Sequence, residues 1–249
     1  VAIIIFCFVY IVRTILRQKE FAGRLSDFIN NMTHEFKTPI STISLASEAI
    51  ARPENSRSQP KVKRYNGMIA DENNRMKKQV EKILQMSALE EGDYELNLVP
   101  VDVHKVITKA VESISLQMTA RKGSITTTLG ASRSTIHADA VHLENIIHNV
   151  LDNAVKYTRD TPKIVVSTAS GTDRLIIRVQ DNGIGIADEH LEKVFEKYYR
   201  VPTGNLHDVK GFGLGLSYVK LVTEAHHGTI TIQSLPGAGT TVELRFPLS

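Results

Sequence analysis

The sequence predicts an α+β protein in which an antiparallel helical hairpin precedes an α/β sandwich domain. Three observations carry this prediction. An apolar run opens the chain, apolar residues then recur every three or four positions over about residues 21–89, and from about residue 95 short alternating runs are interleaved with amphipathic helices. We therefore divide the chain into residues 1–16, 17–92 and 93–249.

The opening run, Val1 to Val12, contains no charged residue. As a helix it would span about 18 Å, which is short of the roughly 30 Å hydrocarbon core of a bilayer. No initiator methionine or basic segment precedes it, so it does not resemble a signal peptide. We expect residues 1–16 to be the C-terminal part of a transmembrane helix, with the basic residues that follow on the cytoplasmic side. The alternative is the start of a buried or coiled-coil helix.

Residues 21–51 and about 62–89 predict two long helices joined by a polar, proline-flanked loop, residues 52–60. The first helix has an apolar seam, and the second has a similar one. Two helices with one apolar stripe each cannot bury both stripes well alone, so we expect a second copy to complete a four-helix bundle as a homodimer. The first seam consists of Phe21, Leu25, Phe28, Met32, Phe36, Ile40 and Ile43.

His34 lies two residues from both Met32 and Phe36, so we expect it on the solvent side of the first helix. Glu35 is its neighbour, and Thr38 stands one turn further along the same face. Pro39 removes a helical amide, which predicts a kink beyond the histidine. An exposed imidazole beside a carboxylate suits a nucleophile presented to another domain, although a lone surface histidine is usually only solvated.

The second half of the chain predicts a mixed α/β segment in which five short strands alternate with three long helices. The helices are expected at Val103–Arg121, Leu143–Tyr157 and Leu214–His226, and the strands at Ile125–Leu129, Lys163–Ala169, Leu175–Gln180, Thr229–Ser234 and Thr241–Phe246. Between the last two strands, Leu-Pro-Gly-Ala-Gly is typical of a hairpin loop.

Polar residues Asn149, Asn153 and Lys156 form a stripe beside the apolar face of the second of these helices. Amide oxygens suit Mg²⁺, and a lysine one turn away supplies a positive charge for phosphate. Alone, the stripe is equally compatible with an ordinary solvated helix face.

Two glycine-rich segments follow. Asp181-Asn-Gly-Ile-Gly comes directly after a strand, where a carboxylate can accept a hydrogen bond from an exocyclic amine and Gly183 and Gly185 permit close approach of a ligand. Gly211-Phe-Gly-Leu-Gly opens a helix after the lid-like segment 201–210, which predicts a phosphate cradle. A dinucleotide-binding βαβ unit is disfavoured, because this motif follows a loop and not a strand.

Taken in order, these segments resemble the boxes of two-component histidine kinases: His34-Glu-Phe-Lys-Thr-Pro39, Asn149 to Tyr157, the Asp181 motif, Phe195 to Arg200, the Gly211 motif and Gly237-Ala-Gly-Thr-Thr241. The resemblance covers about residues 20–248. It implies a dimerising phosphoacceptor hairpin and a GHKL-type ATP-binding domain, in which a mixed sheet packs on three helices.

The resemblance also implies the role of each site residue. His34 would be phosphorylated by ATP, Glu35 would act as its general base, and Thr38 would position water for dephosphorylation of a response regulator. Asn153 would hold Mg²⁺. The remaining nucleotide-binding residues would be Asn149, Lys156, Tyr157, Asp181, Gly183, Gly185, Arg200, Gly211, Gly213, Gly215 and Thr240.

Composition adds limits on partners. The net charge of +3 is modest and partly due to Arg13, Arg17 and Lys19, so no nucleic-acid partner is expected. The single cysteine, Cys7, excludes an intrachain disulfide or a paired-cysteine metal site. The resemblance implies a receiver domain as partner and a bacterial inner membrane location with the catalytic region in the cytoplasm. Two alternatives remain: a GHKL ATPase without histidine transfer, and an inert dimeric scaffold.

Overall fold

The structure is a computed structural model that describes residues 1–91, 95–201 and 212–248. The chain divides into two compact units. Among the described residues, the first unit holds residues 1–85 and Phe212, and the second holds the rest. The domain boundaries at residues 16 and 92 stay predictions.

The first unit is a helical hairpin. Helix α1 spans Ala2–Ala51, a short helix α2 spans Pro53–Ser56, and α3 spans Gln59–Glu91 and continues into the second unit. Glu35 lies 16 residues before the end of α1, and it forms an ion pair with Arg75, which lies 16 residues after the start of α3. Because these offsets from the connection are equal, the two helices run antiparallel, as the sequence predicts.

The predicted loop between the helices is more ordered than its composition indicates. Pro53 begins α2, where its missing amide costs nothing. Asn55 is buried, donates a hydrogen bond from its side chain to the Ala49 carbonyl and accepts one from Lys61 Nζ. These two bonds tie the connection to both long helices.

Helix α1 includes the apolar opening of the chain without interruption and also contains Pro39. Its apolar side chains at residues 1–12 are exposed on all sides. No helix among the described residues meets the length and hydropathy required of a membrane span. The predicted kink at Pro39 stays a prediction, since the helix is continuous from Ala2 to Ala51.

The second unit is built on a five-stranded mixed sheet with the order β2-β4-β5-β7-β6. Strand β2 pairs with β4 in parallel, and all other neighbours are antiparallel. The strands are β2 (Ser124–Leu129), β4 (Lys163–Ser170), β5 (Arg174–Asp181), β6 (Thr229–Leu235) and β7 (Gly239–Pro247). A separate antiparallel pair joins β1 (Val99–Asp102) to β3 (Thr135–Ala138).

Three long helices, α4 (Val103–Ala120), α5 (Ala140–Lys156) and α7 (Gly215–Ala225), enclose the core with one face of this sheet. This arrangement confirms the expected sandwich of a mixed sheet on three helices. Nearly complete burial is reached by the large side chains of Ile107, Ile114, Ile136, Leu143, Ile146, Ile147, Leu151, Ile164, Leu175, Ile177, Leu244 and Phe246.

Several elements depart from the sequence prediction. Strands β1 and β3 and the short helix α6 (Asp188–Leu191) were not predicted, because four residues are too few to establish a period. Helix α5 begins three residues before the predicted Leu143, because the Asp139 carboxylate caps it by accepting hydrogen bonds from the amides of Val141 and His142. The predicted hairpin loop between β6 and β7 is confirmed, with Ala238 N–H donating to the Leu235 carbonyl.

Candidate functional site

Helix α5 presents two asparagine side chains towards the start of α7. Asn149 is buried and Asn153 is half-buried. A Cβ atom built on Gly215, the first residue of α7, would lie 3.7 Å from Asn153 Nδ2 and 3.9 Å from Asn149 Oδ1. The absence of a side chain at Gly215 therefore leaves open space between two side-chain amides and the N-terminus of a helix, which attracts anions.

The end of α5 joins this site to the segment after β5. The carbonyl of Tyr157, whose side chain is exposed, accepts a hydrogen bond of 2.9 Å from Ile184 N–H. The Lys156 ammonium forms an ion pair of 2.6 Å with Asp152 one turn earlier. To contact a phosphate group, Lys156 would have to leave or share this carboxylate.

Asp181, at the end of β5, uses one carboxylate oxygen to organise the neighbouring backbone. Its Oδ1 accepts hydrogen bonds from the amides of Gly183 at 2.7 Å and Thr240 at 3.1 Å. Burial raises the pKa of this carboxyl, whereas these two bonds lower it. Within the described part of the chain, Oδ2 accepts no hydrogen bond, so it is available to a donor on a ligand.

Gly183 and Gly185 are required by close backbone contacts around this aspartate. A Cβ on Gly183 would lie 2.8 Å from both Asp181 Oδ1 and the Tyr157 carbonyl oxygen. Gly185 has φ +70°, and a Cβ there would lie 2.0 Å from the Leu235 carbonyl oxygen. The two glycines thus let the loop pack between α5 and the β6–β7 hairpin.

Thr240 contributes to the same loop through its side chain as well as its amide. Its hydroxyl lies 2.8 Å from Ser234 Oγ, which in turn accepts a hydrogen bond from the Ile186 amide. Ser234 was not predicted as a site residue, because a serine near the end of a strand and three residues before a turn glycine is too common to be distinctive.

The phosphate cradle predicted at Gly211, Gly213 and Gly215 is described only in part, since Gly211 lies outside the described residues, as does most of the lid-like segment. Gly213 has φ +71° and accepts a hydrogen bond from Tyr198 N–H. Helix α7 starts at Gly215 without a side-chain cap, so its first amides are not satisfied by one. Arg200 is half-buried.

In the first unit, His34 is exposed on α1, as the helical period predicts. Neighbouring Glu35 is half-buried, and its Oε2 lies 3.6 Å from Arg75 Nη2 on α3. Thr38 is exposed, and its carbonyl accepts a hydrogen bond from the Thr42 hydroxyl. Arg75 was missed by the sequence analysis, although an antiparallel hairpin would have identified it by counting equal distances from the loop.

The residues of the second unit fit a nucleotide with a hard cation. Among residues 1–91, 95–201 and 212–248 no group of three or more His, Cys, Asp and Glu side chains is arranged to hold a metal ion. The half-buried amide of Asn153 beside the open space at Gly215 nevertheless provides an oxygen donor of the kind Mg²⁺ accepts when most other ligands are water and phosphate.

Two family models match the chain. Residues 24–92 match the His Kinase A (phospho-acceptor) domain, and residues 138–249 match the histidine kinase-, DNA gyrase B- and HSP90-like ATPase family. The site residues of the sequence analysis all lie within these two ranges. The order of the two segments is the order that the motifs predict.

Among known proteins, the sensor protein RprX of Bacteroides fragilis is 43% identical over 99% of this chain and 48% of its own length. The sensor-like histidine kinase SenX3 of Mycolicibacterium smegmatis is 31% identical over 89% of this chain and 57% of its own length. The chain therefore spans about half the length of these relatives.

Solved structures agree on the fold. Full-length ShkA in complex with AMPPNP has a TM-score of 0.67 at 22% identity, with 88% of this chain and 45% of that chain covered. The Acinetobacter baumannii histidine kinase AdeS has a TM-score of 0.61 at 20% identity, with 87% and 98% covered. With both segments matched in order and the fold shared, the chain belongs to the sensor histidine kinases of two-component signal-transduction systems.

Proposed function

We propose that this chain transfers the γ-phosphoryl group of ATP to His34 and then to an aspartate of a response-regulator receiver domain. The observation that carries the proposal is that two separate glycine-containing motifs lie along helix α5, which carries Asn149 and Asn153. The start of α7 lies beside these two asparagines, and the Asp181 loop contacts the Tyr157 carbonyl at the end of α5, in a chain whose first unit exposes His34.

Each part of that site suits one part of ATP. Asp181 Oδ2 would accept a hydrogen bond from the adenine amine, while Oδ1 remains committed to the amides of Gly183 and Thr240. Tyr157 would lie against the adenine or ribose. The uncapped start of α7, with Gly213 and Gly215, would receive the phosphates, and Asn149, Lys156 and Arg200 would add hydrogen bonds or positive charge.

Asn153 is the residue we expect to hold Mg²⁺, whose charge would neutralise that of the phosphates when it is bound. The protein itself contributes positioning and electrostatic stabilisation, which dominate the catalysis of phosphoryl transfer. The ion pair of Lys156 with Asp152 implies that nucleotide binding competes for this lysine.

At His34 a neutral ring nitrogen would attack the γ-phosphorus. A nitrogen–phosphorus bond forms, the bond to the oxygen bridging the β- and γ-phosphorus atoms breaks, and ADP leaves. The proton on the other ring nitrogen passes to the Glu35 carboxylate, which acts as general base. The phosphoryl group then passes to the regulator's aspartate carboxylate, and His34 is regenerated.

The same surface supports a second activity. Thr38 is exposed one turn beyond His34 and completes a Glu-x-x-Thr spacing. Its hydroxyl would orient a water molecule for hydrolysis of the regulator's aspartyl phosphate. Kinase and regulator phosphatase activities would therefore share one helix face.

We also propose that the hairpin dimerises and that residues 1–16 are the C-terminal part of a helix that spans a bacterial inner membrane. Exposed apolar side chains on both long helices, among them Ile29, Leu45 and Leu84, support a four-helix bundle with a second copy. At the start of α1 the apolar side chains are exposed all around the helix and are followed by Arg13, Arg17 and Lys19, which supports a cytoplasmic catalytic region.

Labelling with ATP that carries a radioactive γ-phosphate tests the proposal. The protein should acquire label that is labile in acid and stable in alkali, as expected of phosphohistidine, and His34→Gln should remove it. Retention of the label in His34→Gln would refute transfer to His34.

Two other functions make different predictions. A GHKL ATPase without histidine transfer would release phosphate at the same rate in wild type and His34→Gln, with no labelled protein. An inert scaffold would bind no Mg-ATP in a calorimetric titration. The conjunction of the phosphoacceptor segment with the ATPase segment favours the kinase over both.

A further inference from the structure

Arg75 on α3 is the charged residue that contacts the acidic neighbour of His34. Its Nη2 lies 3.6 Å from Glu35 Oε2, and its Nη1 lies 3.8 Å from Glu72 Oε2. One guanidinium thus serves two carboxylates, one on each helix of the hairpin. The Glu35 side chain is only 16% exposed and that of Glu72 only 23%, whereas the arginine side chain is 39% exposed.

The environment makes this arginine important for the position of Glu35. Glu72 Oε2 is buried and accepts no hydrogen bond from the described residues, so the charge of Arg75 compensates it. Without Arg75, two half-buried carboxylates on facing helices would be left without the cation they share. Such groups turn towards solvent, because a half-buried charge without a partner costs free energy.

The proposed chemistry needs Glu35 in one orientation. Its contact with Arg75 is made through Oε2. The other oxygen, Oε1, is therefore the one that would take the proton from His34, the preceding residue of α1. A carboxylate that is held at one oxygen by a cation has a restricted orientation, and its other oxygen can then take a proton from a defined direction. Without the cation, Glu35 would still carry its carboxylate, but the orientation of that carboxylate would no longer be fixed.

We infer that Arg75 is a positioning residue for histidine phosphorylation, which acts by holding the Glu35 carboxylate across the hairpin so that its second oxygen meets His34. The inference rests on the proposed kinase function. It places part of the catalytic geometry on α3, although the phosphorylated residue and its base are both on α1. In this role the effect of Arg75 passes through Glu35 and requires no contact with ATP or with the reacting atoms.

Arg75→Met is the principal test, because methionine keeps an apolar stem of similar length and removes only the charge. Autophosphorylation is measured over a range of ATP concentrations in the full chain. We expect kcat to fall about tenfold with the KM for ATP unchanged, since a mispositioned general base forfeits part of a contribution of roughly 10²–10⁴. Arg75→Lys should restore most of the rate, and Arg64→Ala, which removes an exposed arginine from the same helix, should retain it.

A second measurement separates positioning from a merely structural role. In the Glu35→Gln background, single-turnover labelling over hours should be slow, and adding Arg75→Met should slow it no further. An unchanged kcat in Arg75→Met would overturn the inference. So would a further tenfold loss in the Glu35→Gln background, or a rise in KM without loss of kcat. If wild type itself gives no acid-labile label, it is the proposed function that fails.

Discussion

The imidazole of His226, at the end of α7, accepts a hydrogen bond of 2.9 Å at Nε2 from the backbone amide of Asp139 before α5. Its Nδ1 donates to the Val222 carbonyl at 2.7 Å, so the ring is neutral with its proton on Nδ1. The Asp139 carboxylate meanwhile caps α5 and accepts a hydrogen bond from the Asn97 amide. One residue pair therefore links α7, α5 and the segment that leads into β1.

The neighbouring His142 predicts a pH dependence of stability. Burial lowers the pKa of His142 below the ordinary histidine value of about 6.5, while the Asp139 carboxylate acts in the opposite direction. Between the unfolded and the lowered folded pKa, the unfolded chain binds the extra proton. The contribution of His142 to the free energy of unfolding is therefore fully present above about pH 6.5. It decreases as the pH falls below that value, until the pKa of the folded state is reached.

Differential scanning calorimetry of the full chain from pH 7.5 to 5.5 measures this effect. The unfolding transition to follow is the one whose Tm rises when ATP is added. Its Tm should fall with pH more steeply in wild type than in His142→Asn, whose side-chain amide can still form a hydrogen bond with the Tyr218 hydroxyl, 2.6 Å from His142 Nδ1 in the wild type. Equal slopes for the two proteins would contradict the assignment to His142.

Asp181→Asn should abolish tight ATP binding while it preserves the fold. The asparagine oxygen can replace Oδ1 as acceptor for the amides of Gly183 and Thr240, but the side-chain nitrogen then faces the adenine amine with a donor. Loss of a hydrogen bond to a charged group, about 1.5–3 kcal/mol, corresponds to roughly 10- to 100-fold weaker binding. Isothermal titration with Mg-ATP measures it, and an unaltered Tm without nucleotide confirms that the loop is intact.

Gly185 and Gly215 should respond oppositely to alanine. At Gly185, φ is +70° and the new Cβ would lie 2.0 Å from a carbonyl oxygen, so we expect a loss of more than about 2 kcal/mol. At Gly215 the new Cβ meets the side-chain amides of Asn153 and Asn149 at ordinary contact distance, so the fold should be retained. It would nevertheless occupy the space for phosphate, and ATP binding should weaken at least tenfold. Urea unfolding and ATP titration of both variants separate these effects, and tight ATP binding by Gly215→Ala would contradict this location for the phosphates.

Much of the local structure around the candidate site could be predicted because each motif is short and has its own backbone requirements. The Asp181 loop has an aspartate at a strand end and glycines at a tight turn, and both features are local. The position of His34 on the exposed side of α1 follows from a helical period of 3.6. Long amphipathic helices such as α4 and α5 were located to within three residues at each end for the same reason.

Contacts between distant segments could not be predicted. The parallel pairing of β2 with β4 and the bond between Asp139 and His226 depend on topology, which leaves no periodic trace in either segment. Arg75, 40 residues from Glu35, is an exception, since the predicted antiparallel hairpin places the two residues at equal distances from the loop and counting would have paired them. Helix α1 also continues through Pro39, and this continuity could not be predicted from the residues next to the proline because it depends on the helix as a whole.

Arg121, which directly follows α4, is a further residue whose contacts depend on topology and could not be predicted from the sequence. Its guanidinium donates to the carbonyls of Val155, Thr158, Arg159 and Asp160 at 2.5–3.1 Å, and so it caps the end of α5. Arg121→Ala should lower the free energy of unfolding by about 2–3 kcal/mol, since it removes several charge-assisted hydrogen bonds. Urea unfolding measures this, with the exposed Lys105→Ala on α4 as control. A loss equal to that of the control would exclude the capping role.

Thr38→Ala should separate the two activities proposed for α1. The hydroxyl is not needed for attack on ATP, so autophosphorylation should stay within about twofold of wild type. Its loss should slow dephosphorylation of the phosphorylated regulator by roughly tenfold or more, because an oriented water contributes on the scale of other positioned catalytic groups. The rate of dephosphorylation is measured as phosphate released from the purified, phosphorylated regulator in the presence of the protein and ADP. Thr42→Ala, one turn further along α1, is the matched control, since within the described part of the chain its hydroxyl bonds only to the Thr38 carbonyl. Equal loss of both activities in Thr38→Ala would mean that this residue supports the helix around His34 and takes no separate part in hydrolysis.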